Sequence, residues 1–203
     1  MNIVIVDYGM GNIRSIMSTL KYLGITEVNL TAEYKLLKAA DKIILPGVGS
    51  FRKAMDQIKQ KNLDTFLQEL VIEHKKPLLG ICLGMQLLGM SSSEDGDNKG
   101  LQFVNGKVLR FEDSALKIPH VGFNQVEVNA NSMLYMGLAE KPNFYFTHSY
   151  RMVSHQDINQ STCDYGDKFI ASFEQNNVAG VQFHPELSQK NGLQLLKNFI
   201  EKF

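Results

Sequence analysis

Residues 77–86 read Pro77-Leu78-Leu79-Gly80-Ile81-Cys82-Leu83-Gly84-Met85-Gln86. An apolar run ends at a cysteine, a helical pattern starts directly after it, and glycine stands at both second neighbours. This is the Gly-x-nucleophile-x-Gly form of a strand-to-helix elbow. The turn is so sharp that it strains the central residue's backbone and brings positions two residues away into collision. Such an elbow presents its central side chain at the carboxyl end of a sheet, where open α/β folds bind ligands. It sets the sulfur at a helix N-terminus, which favours the thiolate. It also leaves the Leu83 N–H free to donate to a developing oxyanion. Free cysteines are often simply buried, but a thiol that only packs needs no flanking glycines.

Upstream of the elbow, strands and helices alternate. Asn2–Asp7 is a short apolar strand, followed by the turn Tyr8-Gly9-Met10-Gly11. Asn12 is placed to cap a helix whose apolar face carries Ile13, Ile16, Met17, Leu20 and Leu23, with Gly24 as its stop. Glu27–Leu30 and Lys42–Leu45 read as further strands, the latter running into Pro46-Gly47-Val48-Gly49. Helices are expected from about Ser50 and from Asn62, and again over Leu83–Met90. This alternation predicts a parallel sheet with helices on both faces. Downstream, Ser91–Asn98 reads as a polar loop. Between about Leu101 and Phe183 the segments are short, β-branched or aromatic, which predicts strands, antiparallel ones among them. A helix over Asn191–Phe203 closes the chain. The fold class is therefore α/β, an open, mixed, mostly parallel sheet flanked by helices. The length of 203 residues fits one domain over 1–203.

Composition excludes several functions. Formal net charge is zero, with 44% hydrophobic and 21% charged residues, so nothing marks a nucleic-acid or anionic-membrane binder. No apolar run is long enough for a membrane span, and no signal peptide is read at the N-terminus. The two cysteines, Cys82 and Cys163, make no disulfide framework. No Cys/His cluster has metal spacing, so neither metal nor cofactor is expected. A reducing cytoplasm is the expected compartment.

A nucleophile needs a base and a group to orient it. Val181-Gln182-Phe183-His184-Pro185-Glu186 offers both. Pro185 drives His184 toward an extended backbone. In an extended segment, residues two apart project to one side. Glu186 can then hold one imidazole nitrogen while the other faces Cys82. Taken alone, His-Pro reads better as a strand end with a solvated glutamate after it.

Together the elbow and Phe183-His184-Pro185-Glu186 resemble the class I glutamine amidotransferases. The resemblance runs through Asp7-Tyr8-Gly9-Met10-Gly11-Asn12, Leu45-Pro46-Gly47-Val48-Gly49, Ile118-Pro119-His120-Val121-Gly122 and Thr147-His148-Ser149-Tyr150. It implies that Cys82, His184 and Glu186 hydrolyse L-glutamine through a cysteinyl thioester. It places the second oxyanion donor around the Val48–Gly49 peptide, beside Leu83, although a tight turn there would need the same glycines. Gln86, one helical turn beyond Cys82, would bind the amino-acid end of glutamine, and the backbone of His148-Ser149-Tyr150 would frame it. The His148 side chain itself reads as a satisfied core histidine. A chain this short has no room for a synthase domain. The resemblance implies a separate (β/α)₈-barrel cyclase as partner in a heterodimer, acting on a phosphorylated ribulose-type intermediate. The docking patches would include Tyr8, Met10, Asn12, His120, Phe123 and Asn124. The family pattern has tryptophan where this chain has Phe123, and the chain contains no tryptophan. That departure also suits a paralogue whose partner amidates a surface-glycan sugar.

Overall fold

The computed structural model describes residues 1–112 and 116–203. The three residues between them interrupt the stretch read as strands and lie outside the description. The first half follows the expected alternation: β1 (Asn2–Val6), α1 (Ile13–Tyr22), β2 (Glu27–Thr31), α2 (Tyr34–Ala39), β3 (Lys42–Leu45), α3 (Phe51–Gln60), α4 (Leu63–Leu67), β4 (Leu78–Ile81) and α5 (Leu83–Leu87). The second half carries β5 (Ser91–Ser92), β6 (Asn98–Lys99), β7 (Lys107–Arg110), β8 (His120–Glu127), β9 (Asn143–His148), β10 (Tyr150–Val153), β11 (Ser161–Tyr165), β12 (Asp167–Gln175) and β13 (Val178–Val181), then α6 (Gln189–Lys202).

The main sheet has the order β2-β1-β3-β4-β13-β12-β11-β8-β9. Its first five strands are mutually parallel, and from β13 to β9 the pairings are antiparallel. Strand periodicity divides the core into two layers. Val4, Val6, Ile43 and Leu45 face Leu37, Phe51 and Ile58 of α2 and α3. Ile3, Ile5, Ile44 and Ile81 face Ile16 and Leu20 of α1 and Leu196 and Phe199 of α6. A second sheet, β10-β7-β5-β6, packs against the first, with Val108 and Met152 in the same core cluster as Leu45 and Phe173.

Three local expectations change. The Ser91–Asn98 loop contains a small antiparallel pair, β5 with β6. α4 runs into a π-helical turn over Gln68–Glu73. The helix after the elbow ends at Leu87 rather than Met90, because the Gly89 N–H turns back to the Gln86 carbonyl and the Met90 N–H donates across to the Gly106 carbonyl. With only five residues, it lends the sulfur less dipole than a long helix would.

Candidate active site

Cys82 joins β4 to α5 with φ 53° and ψ −112°, a conformation that non-glycine residues rarely adopt. The flanking glycines have separate reasons. A Cβ on Gly80 would lie 2.8 Å from the Gly84 carbonyl oxygen, a collision across the turn as expected. A Cβ on Gly84 would lie 1.9 Å from the Leu45 carbonyl oxygen, so that glycine answers to the neighbouring strand β3. The elbow is therefore wedged against the exit of β3, the segment leading to Val48 and Gly49.

Parallel pairing of β13 with β4 sets Val181 beside Ile81, and the Cys82 N–H donates to the Val181 carbonyl at 2.8 Å. Two residues beyond Gln182 on the same extension, His184 has φ −99° and ψ 97°. Its Nδ1 meets Glu186 Oε1 at 2.9 Å, with both side chains buried. The expected pairing is present, by a different route. Pro185–Leu187 forms a turn of 3₁₀-helix, and the turn, rather than an extended run, swings Glu186 back onto the ring. Burial pulls the imidazole pKa down. The Cys82 sulfur nearby and the Glu186 carboxylate on Nδ1 more than reverse this, carrying it up to about 10, while the buried Nε2 has no hydrogen-bond partner. His184 is accordingly the charged partner of Glu186.

These elements enclose a cavity of about 370 Å³. Cys82, Leu83, Gln86 and His184 line one side, and Val48 and Gly49 another. His148, Ser149 and Tyr150 also line it, with Pro119, Thr147 and Glu94. The volume suits a small metabolite. Gly49 has φ +101°. Gln86 is buried rather than exposed: its Nε2 donates to the Tyr150 carbonyl at 3.0 Å and to Gln182 Oε1 at 2.9 Å. The His148 ring is held in the core by the Tyr150 carbonyl at 2.8 Å and by His120 at 3.2 Å. Burial in this aromatic cluster lowers its pKa to about 3, and that of His120 to about 4.

The structure separates the six residues read as a docking surface. Phe123 is exposed, and Met10 and Asn124 are half-buried. Tyr8 is fully buried and donates its hydroxyl to the Pro46 carbonyl at 2.6 Å. His120 is buried between Phe146 and Tyr165. Neither side chain offers surface to a partner. Asn12 makes no helix-capping bond, and its Nδ2 instead donates to Glu186 Oε1 at 3.1 Å.

Sequence reasoning passed over two site residues. Glu94 lines the cavity from the β5–β6 turn, accepting the Phe51 N–H at 2.8 Å, and burial raises its pKa. Gln182 donates to Cys82 Sγ at 3.7 Å. Its position two residues before His184 was the available signal. Among the described residues no group of acidic, histidine and cysteine side chains could hold a metal, and no helix is long and apolar enough to cross a membrane.

An elbow cysteine and a histidine thus line one cavity, and a carboxylate holds the histidine ring. The chain belongs to the class I glutamine amidotransferase family, whose model matches residues 4–203. It is 43% identical over 203 residues to the imidazole glycerol phosphate synthase subunit HisH of Aquifex aeolicus, covering 100% of this chain and 97% of that one. It is 42% identical to the subunit HisH 2 of Pseudomonas aeruginosa, covering 98% of each chain. Its fold matches the structure of PurLQS from Thermotoga maritima with a TM-score of 0.73 at 19% identity, over 98% of this chain and 97% of that one.

Proposed function

We propose that this chain, acting as a single domain over 1–203 in the cytoplasm, is the glutaminase subunit of an imidazole glycerol phosphate synthase in histidine biosynthesis. The reading rests on one observation: Cys82 and His184, drawn from two distant segments, line one cavity, and Glu186 holds the His184 ring at 2.9 Å.

With its pKa raised to about 10, His184 holds a proton at neutral pH, and Cys82 supplies the attacking sulfur. The sulfur forms a bond to the side-chain carbonyl carbon of L-glutamine. The oxygen gains negative charge and is met by the Leu83 N–H and the peptide at Val48–Gly49. His184 delivers its proton to the amide nitrogen, the C–N bond breaks, and ammonia leaves a glutamyl thioester on Cys82. Water then attacks the thioester and gives one proton to His184, and glutamate departs as the sulfur leaves. Glu186 fixes the imidazole orientation throughout. Gln86 and the His148–Tyr150 backbone bind the amino-acid end of glutamine. Ammonia passes to a separate (β/α)₈-barrel cyclase docked near the exposed Phe123 and the turn holding Met10.

The test is ammonia release from L-glutamine by the wild type and by Cys82→Ser, with and without a candidate cyclase and its phosphorylated substrate. Turnover dependent on Cys82 and transfer of nitrogen into imidazole glycerol phosphate are expected. Phe123 at the place of the family's tryptophan favours a second reading, in which the partner amidates a sugar. Nitrogen transfer only to a sugar acceptor would replace the first reading with this one.

A further inference from the structure

Gln182 is fully buried, and both ends of its carboxamide are engaged. The direction of that carboxamide follows from a chain of donors. The Tyr150 carbonyl can only accept, so the group facing it at 3.0 Å on Gln86 is the NH₂. The same NH₂ lies 2.9 Å from Gln182, which must therefore present its oxygen there. The Gln182 NH₂ is then turned toward Cys82 Sγ, 3.7 Å away. The register that sets Val181 beside Ile81 places Gln182 beside Cys82, and its spacing of two directs it to the same side as His184. The backbone holds it there: the Gln182 N–H donates to the Ala171 carbonyl at 2.8 Å and the His184 N–H to the Tyr145 carbonyl at 2.9 Å.

We propose that Gln182 is a positioning residue, which rests on the glutaminase reading: its NH₂ orients and stabilises the Cys82 sulfur as nucleophile while its oxygen fixes the Gln86 carboxamide that receives glutamine. One side chain thereby couples the reacting atom to the substrate subsite. A hydrogen bond to sulfur counts most when the sulfur is charged, so the NH₂ end acts on the chemical step. The oxygen end acts on binding, because turning Gln86 away removes its contact with the substrate.

Two substitutions of similar length separate these ends. Gln182→Glu keeps an acceptor for Gln86 and removes the donor to sulfur. Gln182→Met removes both. Each variant and the wild type are compared by steady-state glutamine hydrolysis, by the rate of Cys82 alkylation with iodoacetamide at neutral pH, and by thermal unfolding. Gln182→Glu is expected to lower kcat and alkylation about tenfold or more with KM nearly unchanged. Gln182→Met is expected to lower both similarly and to raise KM about fivefold. A purely structural role would lower Tm while leaving kcat, KM and alkylation of the folded fraction unmoved in both variants, and that result overturns the proposal. If Gln182→Met fails to fold, Gln182→Glu carries the test, and unchanged alkylation in it also overturns the proposal. Failure of the underlying reading looks different: the wild type would alkylate readily at Cys82 yet release no ammonia from glutamine, with or without a partner.

Discussion

His184 and His148 border the same cavity, and both rings are buried, yet their surroundings drive them in opposite directions. His184 faces a thiol and a carboxylate, and its pKa rises to about 10. His148 faces a carbonyl, a second histidine and the rings of Phe111, Phe146 and Phe169, and its pKa falls to about 3. Burial disfavours the charged ring in both places. What differs is the presence of a compensating anion. One ring is equipped to carry a proton, and the other to stay neutral and brace the wall against which substrate would rest.

The sharpest way to break this contrast is by substitution to asparagine. His184→Asn is expected to reduce glutamine hydrolysis about a thousandfold or more, whereas His148→Asn reduces it less than about tenfold, measured as kcat on folded protein. Equal losses would mean that the two rings share the chemistry. Next in size is Glu186→Gln, which removes one of the two groups holding up the His184 pKa. A fall in kcat of about a hundredfold is expected, and the alkaline limb of the pH–rate profile should move to lower pH.

Stability sharpens the comparison further, because the two linkages have opposite signs. His184 binds its proton more tightly when folded. Its contribution is complete below about pH 6.5 and is lost as pH rises toward 10. His148 and His120 refuse protons that the unfolded chain accepts. Their linkage erodes stability as pH falls from about 6.5 toward 4 and then 3. Denaturation series should therefore show His184→Asn flattening the alkaline limb and His120→Gln flattening the acid limb, each by on the order of 1–3 kcal/mol. The smallest expected effect belongs to Asn12→Ala. Losing its bond to Glu186 should cost a few-fold in kcat, with the alkaline limb left in place.

The parallel half of the sheet and the elbow were legible because backbone geometry restricts residue type there. At the elbow, the turn at Cys82 leaves no room for a Cβ on Gly80 or Gly84. Long-range partners were not legible. Nothing local distinguishes an asparagine that caps a helix from Asn12, whose side chain reaches a residue 174 positions away. The clash that demands Gly84 involves Leu45, on another strand. The burial of His120 was in principle readable. Along β8 the alternation places Val121 and Phe123 outward and His120 inward, but reading the segment as one docking patch hid the period of two. Glu94 was missed because a short polar run gives no sign that it folds over a cavity.

The 1.9 Å approach between a Gly84 Cβ and the Leu45 carbonyl bears on any attempt to move this site to another scaffold. Residues 45–49 and 80–84 are fitted to each other as two halves of a joint. A designer who transplants the cysteine turn alone carries over a nucleophile whose seat has been left behind. The smallest portable seat for the nucleophile is the pair of adjacent strand exits together, at their native spacing, and the histidine must be brought in on a third strand.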